Sequence, residues 1–195
     1  MKSLLKTLPK SAQLIVALAL TGAGFARAGE ATAFDLIKEG NRYVGEQCKD
    51  KIVQIRSEKS VGTLVPNIWY VVFYDPDATF KSTEVKFGAG QKQKVTRPMR
   101  VLELAGDNKA LDRDKLKVDS DEAIKIATAE PLLKALTIKA TKLILQQGDE
   151  GVVWKVTLWA AKLKKPTSNV DIGDVFIAAD TGKVVRSDLK ISKVD

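Results

Sequence analysis

An apolar pattern near the C-terminus of this chain recurs in its first half. The later copy reads Val152-Val153-Trp154-Lys155-Val156-Thr157-Leu158-Trp159, then a polar stretch, then Asp174-Val175-Phe176-Ile177-Ala178-Ala179-Asp180-Thr181-Gly182-Lys183-Val184. The earlier copy reads Asn67-Ile68-Trp69-Tyr70-Val71-Val72-Phe73-Tyr74, a polar stretch, then Glu84-Val85-Lys86-Phe87-Gly88. Period-two alternation predicts half-buried strands in both. A helix-like segment precedes each copy. Trp69 aligns with Trp154 and Val85 with Val175.

The spacing of Phe34, Ile37 and Val44 predicts a first helix over residues 32–48, capped by Thr32 with Asp35 in the capping-box position. Cys48 continues that face, and Gly40 and Gly45 weaken the helix. Strands follow over 51–56, 68–74, 83–87 and 92–97, with Asp75-Pro76-Asp77 ending the second. Residues 99–118 read as a charged connector in which 101–104 can form a strand or pack on a module. A second helix starts at Asp119 or Ser120, buries Ala123, Ile124 and Ala127, and ends or restarts at Pro131. Strands are predicted over 141–147, 152–161, 175–179 and 183–186, the last two joined by a tight turn in which Gly182 takes a positive φ. Two copies are too few for a solenoid. The expected fold class is therefore α+β: two tandem modules over 29–98 and 119–195, each a helix packed on a small antiparallel sheet.

The first residues change the picture of charge. Lys2, Lys6 and Lys10 precede the apolar run 14–20, and Ala26-Arg27-Ala28 has the small-residue form of a signal-peptidase site. Residues 1–28 read as a signal peptide cleaved after Ala28, with a secreted or periplasmic product that is not an integral membrane protein. The segment carries four basic residues and no acid, so its removal halves the net charge of +8. No basic run with interleaved aromatics remains, and nucleic-acid binding has little support.

With no histidine, Ser-His and Cys-His catalysis and His-ligated zinc are excluded. With Cys48 as the single cysteine, an intramolecular disulfide is excluded too. Carboxylate pairs, lysine chemistry and carboxylate-bound calcium stay formally open. Asp180 could share a cation with Asp171 and Asp174, although an aspartate in such a turn more often bonds its own backbone.

The second unit resembles the PepSY family in Ser120-Asp121-Glu122-Ala123-Ile124-Lys125-Ile126-Ala127, in Val153-Trp154-Lys155-Val156, and in the run from Val175 to Val184 with its Asp180-Thr181-Gly182-Lys183 turn. The first unit is similar to a diverged copy that keeps Trp69 and lacks that turn. The resemblance implies a helix on a small antiparallel sheet. It also implies a binding or modulating module, without catalytic residues, cofactor or metal, whose partner is another exported protein such as a peptidase. An envelope scaffold recognising an anionic cell-wall or lipid component is the alternative.

Two surfaces are candidates for a partner. Strand 68–74 is apolar on both faces, so Ile68, Tyr70, Val72 and Tyr74 point away from the face that Trp69 shares with the helix. A cover for that row is expected, by the rest of the chain, a second copy or a partner. In the second unit Trp159 lies at the matching place. Lys162, Lys164 and Lys165 form a basic loop suited to an acidic partner.

Overall fold

A computed structural model describes residues 31–98 and 109–195. The cleavage site after Ala28 and the segment 101–104 lie outside the described residues.

The described residues form two short α-helices and eight strands. Helix α1 spans Ala33–Gly40, and strands β1 to β4 span Ile52–Ser57, Ile68–Tyr74, Ser82–Gly88 and Gln91–Thr96. Helix α2 spans Ser120–Thr128, followed by β5 (Ile138–Gln147), β6 (Val152–Ala161), β7 (Asn169–Ala178) and β8 (Val184–Leu189). All eight strands join one antiparallel sheet in the order β4-β3-β2-β1-β5-β6-β7-β8.

This corrects the expected fold class. The chain is one continuous antiparallel sheet with two small helices on it, and not two helix-on-sheet modules. The first strands of the two repeats pair with each other, with Ile55 opposite Leu145 and Arg56 opposite Ile144. Ser57 Oγ accepts from the Leu143 amide at 2.9 Å, and Ser60 exchanges bonds with the Thr141 backbone through its amide (2.8 Å) and its Oγ (2.9 Å). Two separate four-stranded sheets would each leave another open edge, and this pairing closes both. One helix of eight or nine residues also buries too little surface to cover a sheet alone.

The repeat persists inside the single sheet. By strand register Ile55 corresponds to Leu143, Trp69 to Trp154 and Val85 to Val175. The helices correspond residue by residue: Ala33, Leu36, Ile37 and Gly40 are buried on one, and Ser120, Ala123, Ile124 and Ala127 on the other. The same register maps Arg56 onto Ile144, so an approximate twofold axis passes through that pair.

Both helices pack on the same sheet face, over one apolar core that runs through both halves. Trp69 and Trp154 are fully buried there. Each indole Nε1 donates to a backbone carbonyl at 2.8 Å, Pro66 for Trp69 and Val118 for Trp154, which satisfies its buried N–H. The Phe34 ring of α1 stacks 6.5 Å from Trp154 of the other half.

The two helix N-termini meet. Thr32 caps α1 through Asp35, as expected. Asp119 Oδ1 accepts from the Ser120 amide at 2.6 Å and also from the Phe34 amide at 3.2 Å. Ser120 Oγ accepts from the Ala33 amide at 3.0 Å. One aspartate thus serves the opening turns of both helices.

Helix α1 stops at Gly40, well short of Cys48. A Cβ at Gly40 would lie 2.8 Å from Cζ of Phe73, so the chain there sits directly on a core ring. Two single-turn 3-10 helices, Asn41–Tyr43 and Glu46–Cys48, carry the chain onward and still bury Cys48. Strand β7 begins at Asn169, earlier than the expected 175, because Asn169 to Asp174 pairs with β6 around a bulge at Ile172. Its polar composition hides it as a strand. Gly182 has φ +73° in the turn before β8, as expected.

Candidate functional site

The sheet face opposite the helices carries the chemistry. Strand register lines up one residue from each strand into a row from edge to edge: Lys94, Lys86, Tyr70, Arg56, Ile144, Lys155, Phe176 and Arg186. Alternation puts these side chains outward, because their neighbours Val71, Ile55, Leu143, Val156 and Val175 enter the core.

Each aromatic ring in the row lies between two cations. Arg56 Cζ is 3.9 Å from the Tyr70 centroid, with Lys86 Nζ at 5.2 Å. Arg186 Cζ is 3.8 Å from the Phe176 centroid, with Lys155 Nζ at 5.9 Å. These distances suit cation–π attraction. A carboxylate accompanies each of the four cations: Glu84 with Arg56, Glu58 with Lys86 at 3.8 Å, Asp174 with Lys155 at 3.0 Å and Asp188 with Arg186 at 2.9 Å. Tyr70 Oη donates to Glu58 at 2.5 Å, and Thr157 Oγ1 donates to Asp174 at 2.6 Å. The Tyr70 hydroxyl beside it, and then the Glu58 and Glu84 charges, hold the Lys86 ammonium above its ordinary pKa.

Beside the row lies an open groove of about 550 Å³, lined by Arg56, Tyr70, Lys142, Lys155, Trp159 and Asp174 among others. Lys59 Nζ sits 4.6 Å over the Trp159 ring and donates to Asn169 Oδ1 at 2.7 Å. The groove therefore offers aromatic faces, fixed cations and carboxylates together.

The expected surface residues divide. Tyr70 and Trp159 line the groove. Val72 is fully buried in a small cluster with Val53, against which the half-buried Tyr74 packs. Ile68 is half-buried at the start of β2. The row Ile68, Tyr70, Val72, Tyr74 is thus not a uniform apolar strip. Its cover comes partly from this cluster and partly from the cations on Tyr70. Lys164 and Lys165 are exposed and Lys162 half-buried in the loop between β6 and β7, and none of the three lines the groove. Sequence reasoning missed Arg56, Lys86, Lys155, Phe176 and Arg186. The available signal was their outward parity within each strand. Aligning them needed the β1–β5 register.

A smaller cavity of about 330 Å³ opens near Cys48 and Asp75. Asp75 is buried. It accepts from Thr83 Oγ1 at 2.6 Å, Arg97 Nε at 3.1 Å and the Asp77 amide at 3.0 Å. Desolvation alone would raise its pKa, but these bonds and the Arg97 charge outweigh it and hold the carboxyl below its usual range. Burial, then the Asp75 charge, pushes the Cys48 thiol up, which favours its protonated form.

Asp171 and Asp174 lie on β7, and Asp180 lies in the exposed turn beyond it. Among the described residues no cluster of three or more acidic or cysteine side chains is placed to hold a metal ion. Among them, too, no helix is long and apolar enough to cross a membrane. Comparison with protein families, with curated proteins and with solved structures gives no match.

Proposed function

We propose that this chain is an exported, non-catalytic binding protein that presents the helix-free sheet face to another exported protein. The observation that carries the reading is the edge-to-edge row in which Tyr70 and Phe176 are each held between two cations. Tyrosine and arginine dominate the energetics of many protein interfaces. Holding the arginine in an ion pair and the tyrosine by a hydrogen bond before binding lowers the ordering cost of binding. The basic N-terminal segment with its Ala26-Arg27-Ala28 site supports export, and the resemblance to PepSY modules supports a modulating role, with a peptidase as the class of partner.

The envelope reading rests on a different feature, the five cations Lys94, Lys86, Arg56, Lys155 and Arg186 in one row. A carboxylate beside four of them weakens their pull on a polyanion, so the protein partner is favoured.

Affinity capture from periplasm or culture medium, with mass spectrometry, tests the reading. Recovery of one exported protein whose binding falls roughly tenfold or more in Arg56→Ala and Phe176→Ala supports it. Co-sedimentation with cell wall or anionic vesicles, weakened by salt, favours the envelope reading instead. Capture of a protein that both variants bind as tightly as the native chain refutes the assignment of this face.

A further inference from the structure

The two outer edges of the sheet are built differently. Strand β4 carries Lys92 and Lys94, no acid, and a register shift that leaves Gln93 without a partner on β3. Lysines and bulges are devices by which edge strands avoid pairing with another chain. Strand β8 is exposed as well, but its sequence Val184-Val185-Arg186-Ser187-Asp188-Leu189 carries one cation and one anion on either side of Ser187. Its irregularity falls at Val185, so Arg186 to Leu189 pair regularly with β7.

The backbone of β8 faces outward at defined positions. A Cβ on Gly173 would lie 2.1 Å from the Asp188 carbonyl oxygen, so that carbonyl points to β7. The Lys190 amide donates to Ile172 O at 2.6 Å and also points inward. Strand alternation then turns the N–H and C=O of Ser187 and Leu189 away from β7, where the described residues supply no further strand.

We propose that β8 pairs antiparallel with β8 of a second copy of this chain, about a twofold axis at Ser187. In that register Ser187 exchanges both backbone bonds with the Ser187 of the other copy. Each Arg186 then stands directly opposite the other copy's Asp188, twice by symmetry. Opposite charges so placed on neighbouring strands attract, and like charges repel. Val185, an exposed large apolar residue, flanks the junction. The contact is isologous and closes as a dimer. The helix-free faces of the two copies become one surface. The inference does not depend on what that surface binds.

Sedimentation of the full chain and its variants over a range of concentrations tests this. The native chain should dimerise. Arg186→Asp and Asp188→Arg place like charges opposite each other, so each alone should dimerise roughly tenfold more weakly. Mixed one to one, those two variants should form a heterodimer, because both cross-strand pairs are then restored. The double variant Arg186→Asp, Asp188→Arg keeps the charges complementary and should dimerise like the native chain. A native chain that stays monomeric up to roughly millimolar concentration overturns the proposal. So does a dimer that both single variants leave unchanged, or a mixture that fails to associate.

Discussion

The two halves share one plan and differ in where they put the same chemistry. In the first half the aromatic ring of the outer row sits on the second strand, as Tyr70, and the cation on the third, as Lys86. In the second half the order is exchanged, with Lys155 on the second strand and Phe176 on the third. The acid two residues earlier is kept, as Glu84 and Asp174; Asp174 pairs with Lys155 on the neighbouring strand, whereas Glu84 reaches across β2 to Arg56 on β1. What is preserved is the sandwich of one ring between two cations with acids beside it, and not the residue at a given place. The halves also differ at the end of the second strand, where the buried Asp75 corresponds to Ala160. They differ on the third strand too, where Thr83 in regular pairing corresponds to Gly173, which adjoins the bulge at Ile172.

The largest test of this comparison is the tryptophan pair. Trp69→Ala and Trp154→Ala should each cost about 3–5 kcal/mol. Trp154 should be the costlier, because it also supports Phe34 of the other half. Since one core runs through both halves, each variant should lower a single urea unfolding transition monitored by circular dichroism and fluorescence. A variant that splits the transition and leaves one part unmoved would show two independent halves.

Gly173→Ala comes next. Its φ is +112° and its Cβ would meet the Asp188 carbonyl, so a loss of about 2–3 kcal/mol is expected. Thr83→Val, at the corresponding place, replaces only the hydroxyl that donates to Asp75 and should cost about 1 kcal/mol. Equal midpoints for the two variants in denaturant would erase the contrast.

Asp119→Ala removes an acceptor from both helix starts and should cost about 1–2 kcal/mol, against about 1 kcal/mol for Thr32→Ala. Thermal melts that rank the two in the opposite order would contradict the shared cap.

The smallest effect at neutral pH concerns acid stability. The folded pKa of Asp75 lies below the ordinary value, so its contribution is complete above about pH 4 and is lost as the pH falls through the lowered folded value. Asp75→Asn should flatten stability against pH in that acid window, whereas Ala160→Ser in the other half should not. Denaturation midpoints from about pH 2 to pH 5 decide this, and an unchanged slope in Asp75→Asn removes the role.

Much of the local structure is legible in the sequence. Residues 68–74 and 152–161 match β2 and β6, because apolar runs rich in β-branched and aromatic residues leave little alternative. The Thr32 cap and the Gly182 turn were legible for the same local reason. The joining of both repeats into one sheet was not, since it depends on a pairing between residues far apart in sequence. A trace of it existed in Ile52-Val53-Gln54-Ile55, where burial on both faces marks a central strand. The outer row was illegible for the same reason. Tyr70 and Trp159 stood out as large apolar residues facing outward, while nothing in the sequence singled out Arg56 and Arg186, whose place on the rings depends on the register.

The pair at the centre of the sheet has a consequence for how such a chain can change. In a dimer of identical subunits, a residue on the symmetry axis faces itself, and any substitution there happens on both sides at once. Arginine in such a place would confront arginine across neighbouring strands. Covalent linkage of the two repeats lifts that constraint, and Arg56 faces Ile144 instead. The centre of the molecule can therefore carry a charge directed to one side only, and each half is free to acquire a preference that the other does not share.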